Sequence, residues 1–166
     1  MFKSSVQWKI VTMFLLIVLA IMMVFGMIMK EQISAFYLNR FKNEITLAFS
    51  EELTAQLDRA ALQNNAQFDL ENILNRYSGR IGINSNRSYY ILDKKTGNAY
   101  NTSGNTGIDI ERTENIISAM AGTVGNKVYS DKEYIDYAYP TGNYIIYIYD
   151  TKSEILDITQ SMLVIV

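Results

Sequence analysis

Ile10 to Met29 reads IVTMFLLIVLAIMMVFGMIM; it carries no charged side chain, and Thr12 is its only hydroxyl. A hydrocarbon core about 30 Å thick takes roughly 20 apolar residues as a helix, so the run is long enough to span it. Such a helix satisfies its own backbone groups in lipid. Soluble helices normally keep a polar face, and this run has none. A signal-peptide core covers only about 7–15 residues and ends at a small-x-small site. The residues that follow here, Lys30-Glu31-Gln32-Ile33, offer no such site. The run therefore reads as an uncleaved transmembrane helix over residues 10–29, with the lipid bilayer as partner.

On its N-terminal side lies a short tail, residues 1–9. It holds Lys3 and Lys9, no acid, and Trp8 where an interfacial aromatic belongs. The whole chain is net −2, and the two tail lysines leave −4 beyond the anchor. Long domains translocate largely regardless of charge, so the basic tail decides orientation. The tail is expected in the cytoplasm and residues 30–152 outside the cell membrane.

After the anchor about 130 residues remain, one domain of ordinary size. Its mildly acidic balance, without a basic block, disfavours nucleic acid as a partner. The chain has no cysteine and no histidine. Triads, Cys–His pairs, HExxH zinc sites and phospho-acceptor histidines are therefore excluded from it, and no catalytic residue, cofactor or metal is expected. Asp93 to Asn98 approaches a calcium loop but places Lys95 where an oxygen ligand belongs, so it reads as a turn. Asp109 and Glu111 alternate and can face one side, a weak cation site or a solvated pair before a helix.

Beyond the anchor, apolar residues at Ile33, Phe36, Tyr37, Phe41, Ile45, Ala48, Phe49, Leu53, Leu57 and Ala61 keep helical spacing without Gly or Pro. This predicts one long helix from Lys30 to about Leu62. A second is predicted from Leu70 to Tyr77, with Asp69 as N-cap and Gly79 past its end. Patterning then turns to strands: Ser88–Leu92, a turn at Asp93–Gly97, and Asn98–Asn101. A polar loop at 101–107 precedes a helix from Arg112 to Ala121, closed by Gly122. Lys127–Ser130, Tyr134–Tyr139 and Tyr144–Asp150 complete an antiparallel sheet of about five strands. The fold class is α+β, with the long helix packed on the sheet. Ile155 to Val166 turns apolar again and reads as a second transmembrane helix, begun at about residue 153 and cut short.

The order of elements, the hairpin Tyr90-Ile91-Leu92-Asp93-Lys94-Lys95-Thr96-Gly97-Asn98-Ala99-Tyr100 and the strand Tyr144–Asp150 resemble extracytoplasmic PAS-like (Cache or PDC) sensor domains. The whole layout is similar to the N-terminal part of two-pass sensor histidine kinases, in particular Gram-positive ones linked to the cell envelope. The resemblance implies a signal-sensing module; the family's kinase core is missing from this sequence, so the chain reads as a fragment of such a kinase or a stand-alone sensor. The alternative is a pilin-like structural subunit. Pilins resemble one another in a leader ending in Gly and a Glu within the apolar run, and this chain has neither.

Two sets of residues follow. A parallel homodimer is expected through the membrane helix and the first turns after it, near Ile33, Tyr37 and Phe41. In the hairpin, a four-residue loop would place Tyr139 opposite Tyr144 and Asp136 opposite Tyr147, with Tyr134 and Tyr149 paired beside them. Ile135, Tyr137, Tyr139, Tyr144, Ile146 and Ile148 would form the core face. An acid among phenol rings suits a small cation or amine. The resemblance implies a small-molecule ligand on this other face, bounded by Tyr90, Tyr100, Asp136, Tyr147 and Tyr149. The competing reading is that Asp136 simply accepts a hydroxyl or faces water.

Overall fold

The computed structural model describes residues 6–102 and 110–153. It divides into two compact units, Met1–Phe36 and Tyr37–Val166. Helix α1 (Val6–Ala48) begins in the first unit and ends in the second. It is the one helix among the described residues that is long and apolar enough to cross a membrane, and the side chains of its most apolar stretch are not buried. The second unit continues with α2 (Glu51–Ala60), α3 (Ala66–Ile81), β1 (Arg87–Asp93), β2 (Ala99–Thr102), α4 (Glu114–Met120), β3 (Ile135–Thr141) and β4 (Tyr144–Asp150). The segment expected to open a second membrane helix, from 154 on, lies outside the described residues.

The single helix expected up to Leu62 is two helices. The break falls at Ser50, which is extended and stands at the N-cap position of α2 without a side-chain cap bond, with Glu51 and Glu52 at the positive end of the helix dipole. Helix α3 is also longer than its pattern suggested. It starts after Asn65 and stops at Gly82, whose φ of +75° is costly for any residue with a Cβ. Gly79, expected to end it, sits inside it. Thr113 caps α4, its hydroxyl accepting from the Ile116 amide.

Among the described residues the sheet has four strands, all antiparallel, in the order β2-β1-β4-β3. The fifth, Lys127–Ser130, is not a strand. A single bridge, Gly125 to Ala138, stands near its place. The β3–β4 turn holds two residues rather than four. Gly142 has φ +54° at the first central position, the pattern of a type II′ hairpin turn. Pro140 is therefore inside β3, an edge strand, where its missing N–H breaks no ladder bond.

The sheet buries both faces. Tyr89, Ile91, Ile135, Ile146 and Ile148 pack against the ends of α1, α2 and α3 through Phe41, Ile45, Leu53, Leu57, Leu70 and Leu74. Cutting one of these leucines, each fully buried, to Ala costs about 2–5 kcal/mol. Tyr90, Leu92, Ala138, Ile145 and Tyr147 pack on the opposite side against Ile116 and Ala119 of α4.

Candidate functional site

Helix α4 spans only Glu114–Met120 and covers only part of its face of the sheet. Beside it, Ile110, the exposed Glu111 and Thr113, from the segment leading into the helix, line a partly open cavity of about 100 Å³ together with Tyr90, Tyr134, Tyr147 and Tyr149. A larger hollow along Trp8, Thr12 and Leu16 is the open surface of α1 alone.

Four phenol rings frame the cavity. Tyr134 stacks on Tyr149 with centroids 5.3 Å apart and planes 26° apart. Tyr147 lies 6.2 Å from Tyr90 and 6.3 Å from Tyr149. Burial pushes the Tyr147 phenol far above its usual pKa, and the charge of Asp136 adds to the shift. Tyr134 and Tyr149 are raised by burial and then by Asp136. The buried hydroxyl of Tyr90 has no hydrogen-bond partner among the described residues.

Of the expected ligand residues, Tyr90, Tyr147 and Tyr149 come together at this cavity. Asp136 and Tyr100 do not. Asp136 pairs with Tyr149 and Ala138 with Tyr147, because the tighter turn shifts the register by two residues. The Asp136 carboxylate is 3% exposed and spoken for: Thr113 Oγ1 donates to it at 2.5 Å and Asn115 Nδ2 at 2.7 Å. Burial raises its pKa, and the hydrogen bonds from Thr113, Asn115 and Tyr147 only partly oppose that. Tyr100 is half-exposed. Its hydroxyl donates to Asp93 Oδ2 at 2.7 Å and its ring meets Tyr144, which packs with the other face of the sheet.

Glu111, Thr113 and Ile110 complete the lining without having been placed there from sequence. The hint for Glu111 was its alternation with Asp109, which lies outside the described residues. Among the described residues no three acidic, His or Cys side chains are grouped to hold a metal ion.

A second constellation ties α1 to the sheet. Arg87, at the start of β1, donates from Nε to Asp150 Oδ2 at 2.9 Å and from Nη1 to Glu44 Oε2 and the Ile81 carbonyl, both at 2.8 Å. Its guanidinium also lies over the Phe41 ring. Tyr37 donates to Asp150 Oδ1 at 3.0 Å. Burial alone would raise the pKa of Glu44, yet the bonds and charges of Arg40 and Arg87 leave it lowered. Just past β4, Lys152 is buried with φ +53°, and its ammonium donates to the carbonyls of Tyr129 and Lys132. Of the residues expected to pair two chains, Phe41 is thus 2% exposed inside its own core, and Tyr37 is engaged with Asp150. Ile33, in the first unit, is half-buried.

No family model, curated protein or solved structure matches the chain.

Proposed function

We propose that the chain is the membrane-anchored sensory part of a two-pass sensor histidine kinase, its tail in the cytoplasm and its sheet domain outside. The observation that carries this reading is the Arg87 network. Glu44 and Tyr37 belong to α1, the helix that also contains the apolar run, and Asp150 ends β4. A buried arginine joins the two, so a displacement of the central strands is felt at the helix. Isolated surface ion pairs contribute little, but breaking a buried pair leaves an uncompensated charge. Made in this structure and able to break as a unit, such a joint is the kind of contact through which switches act. The layout similar to PAS-like sensors, and a small cavity on the sheet face away from α1, support the same reading.

The test is a fusion of this chain to the kinase core of a two-pass sensor, assayed for autophosphorylation in membrane vesicles. Glu44→Gln is expected to shift the basal output. Unchanged output from that variant and from Asp150→Asn, with the domain folded in both, would sink the reading. Orientation is checked separately with Lys95→Cys, the sole thiol in the chain, which an impermeant reagent should label in intact cells. A pilin-like subunit, the alternative, would instead yield filaments on overexpression and an inert fusion.

A further inference from the structure

The cavity beside α4 has three properties that together specify a ligand. Its size is the first. At about 30 Å³ per water, 100 Å³ holds about three waters or an organic molecule of a few heavy atoms. Charge is the second. Among the described residues the lining contains one carboxylate, the exposed Glu111, and no basic side chain. Asp136 accepts from Thr113 just behind the lining, and after burial, the larger cause, its charge raises the phenols of Tyr134 and Tyr149. The stacked Tyr134–Tyr149 pair adds electron-rich ring faces, which attract cations.

The third property is an unmet hydrogen bond. Tyr90 is 1% exposed, lines the cavity, and its hydroxyl is without a partner. A buried donor left unpaired is unfavourable, and native structures rarely keep one without a reason. The Thr113 hydroxyl, which lines the same cavity, donates to Asp136 and accepts from Ile116, and makes no bond with Tyr90. The Tyr90 proton therefore lacks an acceptor, which a group inside the cavity would supply.

We propose that this cavity binds a small ammonium compound carrying a hydroxyl, an amino alcohol of ethanolamine size. The ammonium sits against Glu111 and the Tyr134–Tyr149 ring faces, and the hydroxyl oxygen accepts from Tyr90. The assignment deepens the sensor reading by naming its ligand class, and it can fail while that reading stands.

The experiment uses the full chain in detergent, with ethanolamine as probe and ethylene glycol as its uncharged counterpart. Binding is followed by calorimetry and by the shift in Tm. Ethanolamine should bind saturably and raise Tm, whereas ethylene glycol at equal concentration should not. Tyr90→Phe should leave the unliganded Tm equal or higher, because it removes an unpaired hydroxyl, and should weaken ethanolamine about tenfold. Glu111→Gln should weaken it by a similar factor without lowering Tm. Absent saturable binding, or equal effects of the two probes, overturns the proposal. So does a Tyr90→Phe chain that is less stable when unliganded, since the hydroxyl would then serve the fold. The fusion assay reads the sensor function independently: a responsive kinase with no amine binding removes the ligand class alone. Amine binding to a fusion whose output no variant changes keeps the site and removes the sensor reading.

Discussion

Asn115 and Lys127 hold each other as neighbouring strands do. The Lys127 amide donates to Asn115 Oδ1 at 2.9 Å, and Asn115 Nδ2 donates to the Lys127 carbonyl at 2.8 Å. The same Nδ2 reaches the carbonyl and the carboxylate of Asp136. One buried side-chain amide thus stands in for a strand. Asn115→Ala strands these groups together, at about 1–3 kcal/mol for each buried one left unpaired. Urea unfolding should show a loss of that order, and hydrogen exchange should show the Lys127 amide opening. Unchanged protection of that amide would refute the pairing. Gly125→Ala should act similarly, since a Cβ there overlaps the Asn115 backbone.

Breaking the Arg87 network from one side should be costly. Asp150→Ala removes the buried one of the guanidinium's two carboxylate partners, leaving Glu44, and also releases Tyr37 and the Lys152 amide, for about 3 kcal/mol. Replacing both ends, Arg87→Met with Asp150→Leu, should cost clearly less than the sum of the two single changes. Additive losses in chemical denaturation would mean the pair is not coupled.

Asp136 should leave a signature in the pH dependence of stability. Its native pKa lies above the ordinary 3.8, chiefly through burial. The folded chain therefore binds that proton more tightly than the unfolded one. Its contribution is most favourable below the ordinary value and is lost as pH rises through the native value. Glu44, Glu114 and Asp93 are shifted downward and slope the other way, so the difference from Asp136→Asn is the quantity to measure. The variant should gain on the wild type as pH rises through the acid range, then level off. A pH-independent difference would count against the buried carboxylate.

The Asp93 turn gives a site-specific titration. The Tyr100 hydroxyl and then the amide and hydroxyl of Thr96 hold its carboxyl down to about 2. Carboxyl NMR should find it there, with any stabilisation present above 3.8 and lost as pH falls through about 2. Tyr100→Phe should move the titration upward, and no movement would mean the hydroxyl bond does not form in solution.

Much of this was readable from residue order, and the failures have local causes. Side-chain direction repeats every two residues, so the two-residue error in the β3–β4 register kept every residue on its proper face. Tyr147 and Tyr149 could thus be assigned to the right side of the sheet while Asp136 received the wrong neighbour. Pro140 suggested a turn because its edge position was not visible. The Ser50-Glu51-Glu52 start of α2 was legible as a cap followed by acids, but the continuing apolar stripe hid it. Lys127–Ser130 alternates like a strand, yet the partner of Lys127 is a side chain, which no period can show. Arg87 became recognisable only once β1 was paired with β4, which sets it opposite Asp150.

The far border of β3 bears on how the domain behaves when crowded. Alternate residues of a strand point their amides and carbonyls the same way, so 136, 138 and 140 share that border. Asp136 gives its carbonyl to Asn115, Ala138 exchanges both bonds with Gly125 at 2.8 Å, and Pro140 has no N–H to offer. An unpaired edge is a template on which a foreign strand can grow. Here the template is erased residue by residue, by an amide, a glycine and a ring. Along this border the tyrosine-rich hairpin therefore offers a foreign strand no run of free amides on which to grow.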